Sequence, residues 1–496
     1  MAPFSVPPVI TGLWQIADME RDGKKANATE LAKEMKKSID AGLPAFDMAD
    51  HYGSSEEITG ALNRNFPNSD GLFFTKWVPE PSAISKEETR KAVTRALQRM
   101  SLEQLPLLQF HAWQYANPNW LDCLWWLEEL REEGLIANIG VTNFDTAHLN
   151  MALKSGIKIA SNQICFSLLD QRAFNGFSRG DTSGSIHTIT QEPAPGSMLD
   201  LCRLNGVAVL AFGTVAGGFL SEKWIGQPEP SAEQLTNWSL MKYKRFIDAI
   251  GGWEKFQSIL NLLKQISTAK DVSIANIASR YILDTPGVSS VIIGARLGES
   301  SHLENNLKLK SLSLTEKDRA DIQAILNTFN SIPGDCGDEY RKPPYLTASG
   351  DLSHHLSSLP KPFRTEENKL GHLNVFTGTI WEPLAGYCRA VRIGNQIHVS
   401  GTTATHGNRL IGGNDPAAQT QFILDKIEGA LISAGSSLDD VIRTRIFIKS
   451  TDIWEPVARA HGQRLGHVMP ANTMVTANMI GEEYLVEIEA EAVVRR

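Results

Sequence analysis

Short apolar segments recur along the first two thirds of the chain, with amphipathic stretches between them. They read VITGLW from Val9, AFDMA from Ala45, LFFTK from Leu72, LPLLQFH from Leu105, IANIGVT from Ile136, IASNQICF from Ile159, VAVLAFG from Val207 and VSSVIIG from Val288. Continuous apolar runs of this length predict strands buried on both faces, as in a parallel sheet. Between two of them, ETRKAVTRALQRM places Val93, Ala96, Leu97 and Met100 at helical spacing. Eight such strands alternating with helices over about residues 9–325 predict a (β/α)8 barrel. A doubly wound open sheet is the competing arrangement, but no strand is followed by the Gly-rich dinucleotide fingerprint that such a sheet would carry.

The rhythm stops at residues 331–371, which are rich in Pro, Gly and Ser and hold no sustained period, so they read as a linker or extended arm. His354 and His355 lie here; a metal site needs more ligands held rigidly, and the pair reads as solvated loop with no metal. A new pattern begins at 372. GYCRAVRIGNQIHVSGT predicts two strands about a Gly394–Asn395 turn. Asp415 as N-cap, Pro416 at the first position and Gly435 past the end frame a helix with Phe422, Ile423, Ile427 and Leu431 on one face. The strand VIRTRIFI, the helix DIWEPVARAHGQRL and the strands NTMVTANMI and YLVEIEAEAVV complete a small α+β module. The predicted organisation is a barrel over 1–330, a linker over 331–371 and a second domain over 372–496.

Composition narrows the function classes. A chain of 496 residues exceeds one compact domain, and 42% hydrophobic with 21% charged residues is ordinary for a soluble protein. A formal net charge of -8 argues against nucleic acid or an anionic membrane as the main partner. No apolar run approaches the roughly 20 residues of a membrane span, and MAPFSVPPVITGLW lacks the basic and apolar regions of a secretory signal. Five scattered cysteines without CxxC spacing fit reduced thiols, so a cytoplasmic location is expected.

The chemistry lies in where polar residues interrupt the barrel pattern. Asp47 follows Ala45–Phe46, Lys76 ends LFFT, His111 ends LLQF, and Tyr52 opens the loop after Asp47. In a barrel these are C-terminal strand ends, where active sites are built. A tyrosine is a poor acid at neutral pH, a neighbouring ammonium would lower its pKa, and an aspartate would hold that ammonium in place. With a histidine to orient a carbonyl oxygen, the set can protonate an alkoxide as it forms, which suits carbonyl reduction by hydride transfer. The hydride must come from a cofactor, because no side chain supplies one.

FDMADHYGSSEEITGAL, FFTKW, LLQFHAWQY, IGVTNF, SNQICFSLLDQR, VLAFGTVAGGFL and SSVIIGAR resemble, in order, the strand-end motifs of the aldo-keto reductase family, over about residues 9–325. The resemblance implies Tyr52 as proton donor, Lys76 and Asp47 as the pair that tunes it, and His111 as carbonyl orienter. It implies NADPH extended across the barrel mouth, with Thr142, Asn143 and Gln163 on the nicotinamide carboxamide and Phe212 stacked where the family usually has tyrosine. Gly213–Thr214 departs from the family's Ser–Pro at the next two positions. Arg296 matches the grip on the 2′-phosphate, which favours NADPH over NADH; His302, Asn305 and Asn306 match the adenosine end. Trp14 and Trp113 would wall a pocket for a carbonyl substrate. The same groups serve oxidation, so a sugar (aldose) dehydrogenase is an alternative, as is a redox-sensing scaffold with little turnover. The substrate itself is set by loops such as 166–200 and 220–250.

The second domain resembles the Rid/YjgF (endoribonuclease L-PSP-like) family of reactive-intermediate deaminases, with its chorismate-mutase-like fold, through DPAAQTQFILDKIEGAL, AGSSLDDVIRTRIFI, MPAN and VEIEAEAVV. The resemblance implies a homotrimer with clefts between subunits, and places Tyr387, Ser400, Asn472 and Glu487 at the cleft. Active deaminases carry arginine where this chain has Asn472, and a neutral amide does not replace a bidentate guanidinium. Small-molecule binding or trimerisation is therefore expected, with imine deamination as the alternative.

Overall fold

All eight predicted barrel strands form and close on themselves: β1 (Val9–Gly12), β2 (Ala45–Asp47), β3 (Leu72–Trp77), β4 (Leu107–His111), β5 (Ile139–Thr142), β6 (Ser161–Cys165), β7 (Ala208–Phe212) and β8 (Val288–Gly294) pair in parallel, each with the next and β8 with β1. The computed structural model describes residues 4–16, 27–177, 192–299, 302–341 and 360–495. His354, His355 and part of the 166–200 loop lie outside the described residues. The helix Lys86–Met100 starts from a capping box between Ser85 and Glu88, and the four apolar positions at helical spacing are its buried face. A closed ring has no switch point in strand order, which excludes the doubly wound alternative.

The period-two geometry of the strands decides where the polar residues fall. Ile10, Ala45, Phe74, Leu107, Leu210 and Ile292 form one small apolar cluster inside the barrel, with Phe4 and Val6 packed against it. Two residues further along the same strands, on the same inward face, stand Gly12, Asp47, Lys76, Gln109, Phe212 and Gly294. An apolar layer therefore floors the barrel, and a polar layer lies above it at the C-terminal ends.

The second domain is a seven-stranded sheet against two helices. With β9 (Arg364–Glu367), β10 (Leu373–Phe376), β11 (Ala390–Ile393), β12 (Gln396–Thr403), β15 (Val441–Ile448), β16 (Ala471–Thr476) and β17 (Val486–Val493), the order is β16-β15-β17-β12-β11-β10-β9. Only β15 and β16 run parallel; the small hairpin β13 (Thr405–His406) and β14 (Arg409–Leu410) stands apart. The helix Pro416–Ser433 is capped by Asp415 as predicted, but its buried residues run all round it rather than along one face. The reason is a second neighbour: one side packs on the sheet, and the other on the barrel helix Thr146–Lys154.

The stretch 331–371 differs from the linker expectation at both described ends. Ile332, Asp335, Cys336, Asp338 and Glu339 are buried against the barrel, and Asp338–Arg341 is a short helix across its mouth. At the other end, β9 adds an edge strand to the second sheet.

A buried charge cluster joins the two domains. His148 Nδ1 lies 2.6 Å from Asp145 and its Nε2 lies 3.0 Å from Asp425 of the second domain, where Arg464 also binds. The His148 ring stacks on Tyr115 with centroids 3.5 Å apart. Burial disfavours the imidazolium, but Asp145 and Asp425 outweigh it and raise the His148 pKa. A raised folded value means that the stabilisation is complete below the unfolded histidine value of about 6.5 and is lost as pH rises through the folded one. His148→Ala leaves two buried carboxylates short of a partner and is expected to cost about 3–5 kcal/mol. Denaturant melts of wild type and variant across pH check this: the gap closes as pH rises, and a pH-independent gap contradicts it.

Candidate functional site

The polar layer is built around a buried ion pair. Lys76 Nζ donates to Asp47 Oδ2 at 2.6 Å and to the Met48 carbonyl at 2.8 Å, and both side chains are about 95% buried. Asp47 Oδ1 accepts from Gln109 Nε2 at 3.0 Å and Gln163 Nε2 at 2.7 Å, and Gln163 also donates to Gln109 Oε1. Strands β2, β3, β4 and β6 thus each contribute one member of a single network. Burial of an ion pair is tolerable only when further hydrogen bonds support it, as Met48, Gln109 and Gln163 do here.

Tyr52 sits above this pair, with the Lys76 ammonium 4.9 Å from its ring centroid. Trp14 meets the Tyr52 ring edge-on at 5.0 Å, and Trp113 meets His111 edge-on at 4.5 Å. The His111 ring is fixed by Nδ1 donating to the Thr142 carbonyl at 3.2 Å. Expectation and structure part over the tyrosine's acidity. Lys76 spends its hydrogen bonds on Asp47 and Met48, and burial, reinforced by Asp47, Tyr340 and Asp50, holds the Tyr52 phenol well above its ordinary pKa. The phenol is therefore held protonated rather than poised to ionise. Burial lowers the Lys76 pKa, with Asp47 opposing the shift.

One cavity of about 370 Å³ gathers nearly every residue singled out in the barrel. Asp47, Tyr52, Lys76 and His111 line it with Trp14 and Trp113, as do Thr142, Asn143, Gln163, Phe212 and Gly213. His302, Asn305 and Asn306 line its far end, while half-buried Arg296 is absent from the lining. Gln163 differs from expectation in that its amide nitrogen is committed to Asp47 and Gln109. Asn143 takes a left-handed backbone (φ 57°), and its buried Oδ1 has no hydrogen-bond partner among the described residues; neither has Asn306 Nδ2. Gly213 is required by close approach, since a Cβ there would stand 2.2 Å from the Tyr243 hydroxyl.

Sequence reasoning passed over four residues. Gln109 is the one polar member of LLQF, and that was its signal. Tyr340 and Arg341 come from the stretch read as linker. Tyr340 lines the cavity, with its ring 6.0 Å from His111. Arg341 donates to the carbonyls of Ala112 and Asn143, the residues that follow His111 and Thr142. Lys242, on the helix Trp238–Ala249, lines the same cavity, and nothing in its local sequence announces it.

The second-domain residues do not meet in one cluster within a single chain. Tyr387 and Ser400 are near neighbours through Arg389, which donates to the Tyr387 hydroxyl and to the Ser400 and Gly401 carbonyls. Glu487 lies beside Gly401, where a Cβ would meet its carboxylate at 2.0 Å. Burial, then Glu489, raises the Glu487 pKa. Asn472 stands apart on β16 and donates to Thr444 Oγ1 at 2.8 Å.

The comparisons with known proteins agree with this layout. The Aldo/keto reductase family profile matches residues 8–327, and the Endoribonuclease L-PSP profile matches residues 378–494. The chain is 23% identical to the aldo-keto reductase YhdN of Bacillus subtilis over 353 residues, covering 67% of this chain and 93% of that protein. It shares the fold of the glycerol dehydrogenase of Gluconobacter oxydans (20% identity, TM-score 0.52, 68% of this chain and 96% of that one). The second domain is 42% identical to Rv2704 of Mycobacterium tuberculosis, a member of the YjgF/YER057c/UK114 family, covering 25% of this chain and 99% of that one at a TM-score of 0.23. Among the described residues no helix is long and apolar enough to cross a membrane. With a family profile spanning the whole barrel, the chain belongs to the aldo/keto reductase family and carries a Rid/YjgF domain at its C-terminal end.

Proposed function

We propose that the barrel is an NADPH-dependent reductase of an aldehyde or ketone. The observation that carries this reading is the Tyr52 phenol held over the buried Lys76–Asp47 pair in the same cavity as His111. The residues present fit the cofactor. Asn143 Oδ1 and Asn306 Nδ2 are buried polar atoms lacking partners at the two places where a carboxamide and an adenosine would bind. Bound there, the cofactor supplies the hydride.

The rest is work for the chain's own side chains. His111 positions the carbonyl oxygen. Tyr52 gives its Oη proton to that oxygen as negative charge builds on it, and the Lys76 ammonium stabilises the phenolate left behind. Asp47, fixed by Gln109 and Gln163, keeps the ammonium charged despite its burial.

For the second domain we favour assembly over deamination. Its sheet has one face covered by helices; the other carries Arg445 with Glu489 and Glu491, and Ile442 and Val475 of its strands are exposed. The barrel packs on the helix side, so three copies could close through their open faces with the barrels outside. At Asn472 a substrate carboxylate would meet an amide.

Two substitutions separate turnover from binding. Tyr52→Phe is expected to keep NADPH affinity and lose turnover by about 10²–10⁴-fold; near-normal carbonyl reduction by that variant would falsify the mechanism. Arg296→Ala is expected to weaken NADPH and leave NADH nearly unchanged, and equal loss for both assigns Arg296 a structural role. For the second domain, light scattering of the full chain is expected to give a trimer or a multiple of one, with negligible imine hydrolysis. A monomer removes the assembly reading, and brisk imine hydrolysis removes the reading of Asn472.

A further inference from the structure

Lys242 is a buried cation that the reaction above does not use. It is 4% exposed and lines the cavity that holds Tyr52 and His111. A lysine is rarely this buried without a counter-charge, yet no carboxylate pairs with Lys242 among the described residues. Glu339 shares the Arg172 guanidinium (2.9 Å) with Asp170 (2.7 Å), and makes no ion pair with Lys242. Lys242 Nζ instead donates to the Tyr340 hydroxyl at 2.6 Å and lies over the rings of Tyr340 (4.5 Å), Phe212 (4.9 Å) and Tyr243 (5.5 Å). Aromatic faces stabilise a cation, but they leave its remaining N–H donors open. Burial opposes the charge, and the hydrogen bond to Tyr340 and the Glu339 carboxylate favour it.

Position decides what this cation serves. Its hydrogen-bond partner Tyr340 is 6.0 Å from the His111 ring, and Phe212 is the ring expected against the nicotinamide. Lys242 therefore belongs to the reacting end of the cavity, whereas His302, Asn305 and Asn306 line the adenosine end. The other cation there, Lys76, is already neutralised by Asp47. An ammonium with open N–H donors, flanked by one hydroxyl, matches a carboxylate that accepts two hydrogen bonds.

We infer that the substrate is an oxo acid, whose carboxylate is bound by Lys242 Nζ and the Tyr340 hydroxyl while its carbonyl faces Tyr52 and His111. This rests on the carbonyl-reductase reading and adds the chemical class of the substrate. Lys242 and Tyr340 are then specificity residues, acting on the far end of the molecule from the reacting carbon.

The test compares 4-oxobutanoate with butanal, which share a chain length and differ in the carboxylate, on the full chain with NADPH. A charge-assisted pair beside aromatic walls is expected to favour the acid in kcat/KM by about 10- to 100-fold. Lys242→Met should erase most of that ratio through KM, Tyr340→Phe should erase part of it, and Lys242→Arg should restore part of it. NADPH affinity, read by tryptophan quenching, should change little in Lys242→Met. Calorimetry with succinate, an unreactive dicarboxylate, should show binding to the wild-type chain with NADP and none to Lys242→Met.

Reduction of butanal with no preference for the acid overturns the inference and leaves the reductase reading standing. Loss of NADPH affinity in Lys242→Met, with both substrates slowed alike, assigns the cation to a cofactor phosphate and also overturns it. If neither compound is reduced, the reductase reading fails, and succinate calorimetry decides alone: binding that depends on Lys242 upholds the anion site, and its absence removes it.

Discussion

Two opposite charges held out of water, the Lys76 ammonium and the Asp47 carboxylate, set the terms for everything above them. Such a pair gains little by itself, because the cost of desolvation rivals the attraction. It persists because four strands of a closed ring deliver its partners in fixed register: Asp47 from β2, Lys76 from β3, Gln109 from β4 and Gln163 from β6. Removing either charge would leave the other buried without its counter-charge. The barrel floor of Ile10, Ala45, Phe74 and Leu107 excludes water from below, and Trp14, Tyr52 and Trp113 cover the pair's side of the cavity from above. Burial above this ground raises the pKa of the Tyr52 phenol.

The rim of that cavity is not the barrel's alone. Asp425 of the second domain binds His148, His148 stacks on Tyr115, and the Arg341 guanidinium lies 4.5 Å over the other neighbour of that stack, the Tyr115 ring. Arg341 in turn holds the carbonyls of Ala112 and Asn143, next to His111 and Thr142. Contacts of the second domain therefore run without a gap to the backbone beside the site. Further interdomain bonds, among them His406 to Asp122, the Gly412 amide to Ser155 and Asn150 to Asp415, anchor the same face. The fusion reads as one packed body in which the second domain supports the barrel's loop geometry.

Much of this was legible in the residues because strands and ends of strands leave strong local signals. The eight apolar runs became the eight strands, and the polar residues that ended them converged because inward positions repeat every second residue. Asp415 and Pro416 framed their helix because capping is a local matter. What escaped notice depends on tertiary contact. The helix Pro416–Ser433 is buried all round only because a barrel helix covers its second side. Tyr340 and Arg341 sit among Pro and Gly, where no period marks structure, and only packing on the barrel fixes them. Lys242 looks like a solvated lysine among Met241, Tyr243 and Lys244, until the cavity shows what surrounds it. The acidity of Tyr52 also went against expectation, since adjacency to a lysine is visible in sequence and desolvation is not.

The central claim, that a neutral phenol donates the proton, is tested most directly by the pH dependence of a single reductive turnover. NADPH oxidation would be followed in the burst with excess enzyme and a reactive aldehyde. A Tyr52 pKa held above its ordinary value of about 10 predicts a rate that is flat from about pH 6 to 9. A rate that falls with a midpoint near neutrality, in wild type and not in Tyr52→Phe, would contradict the account.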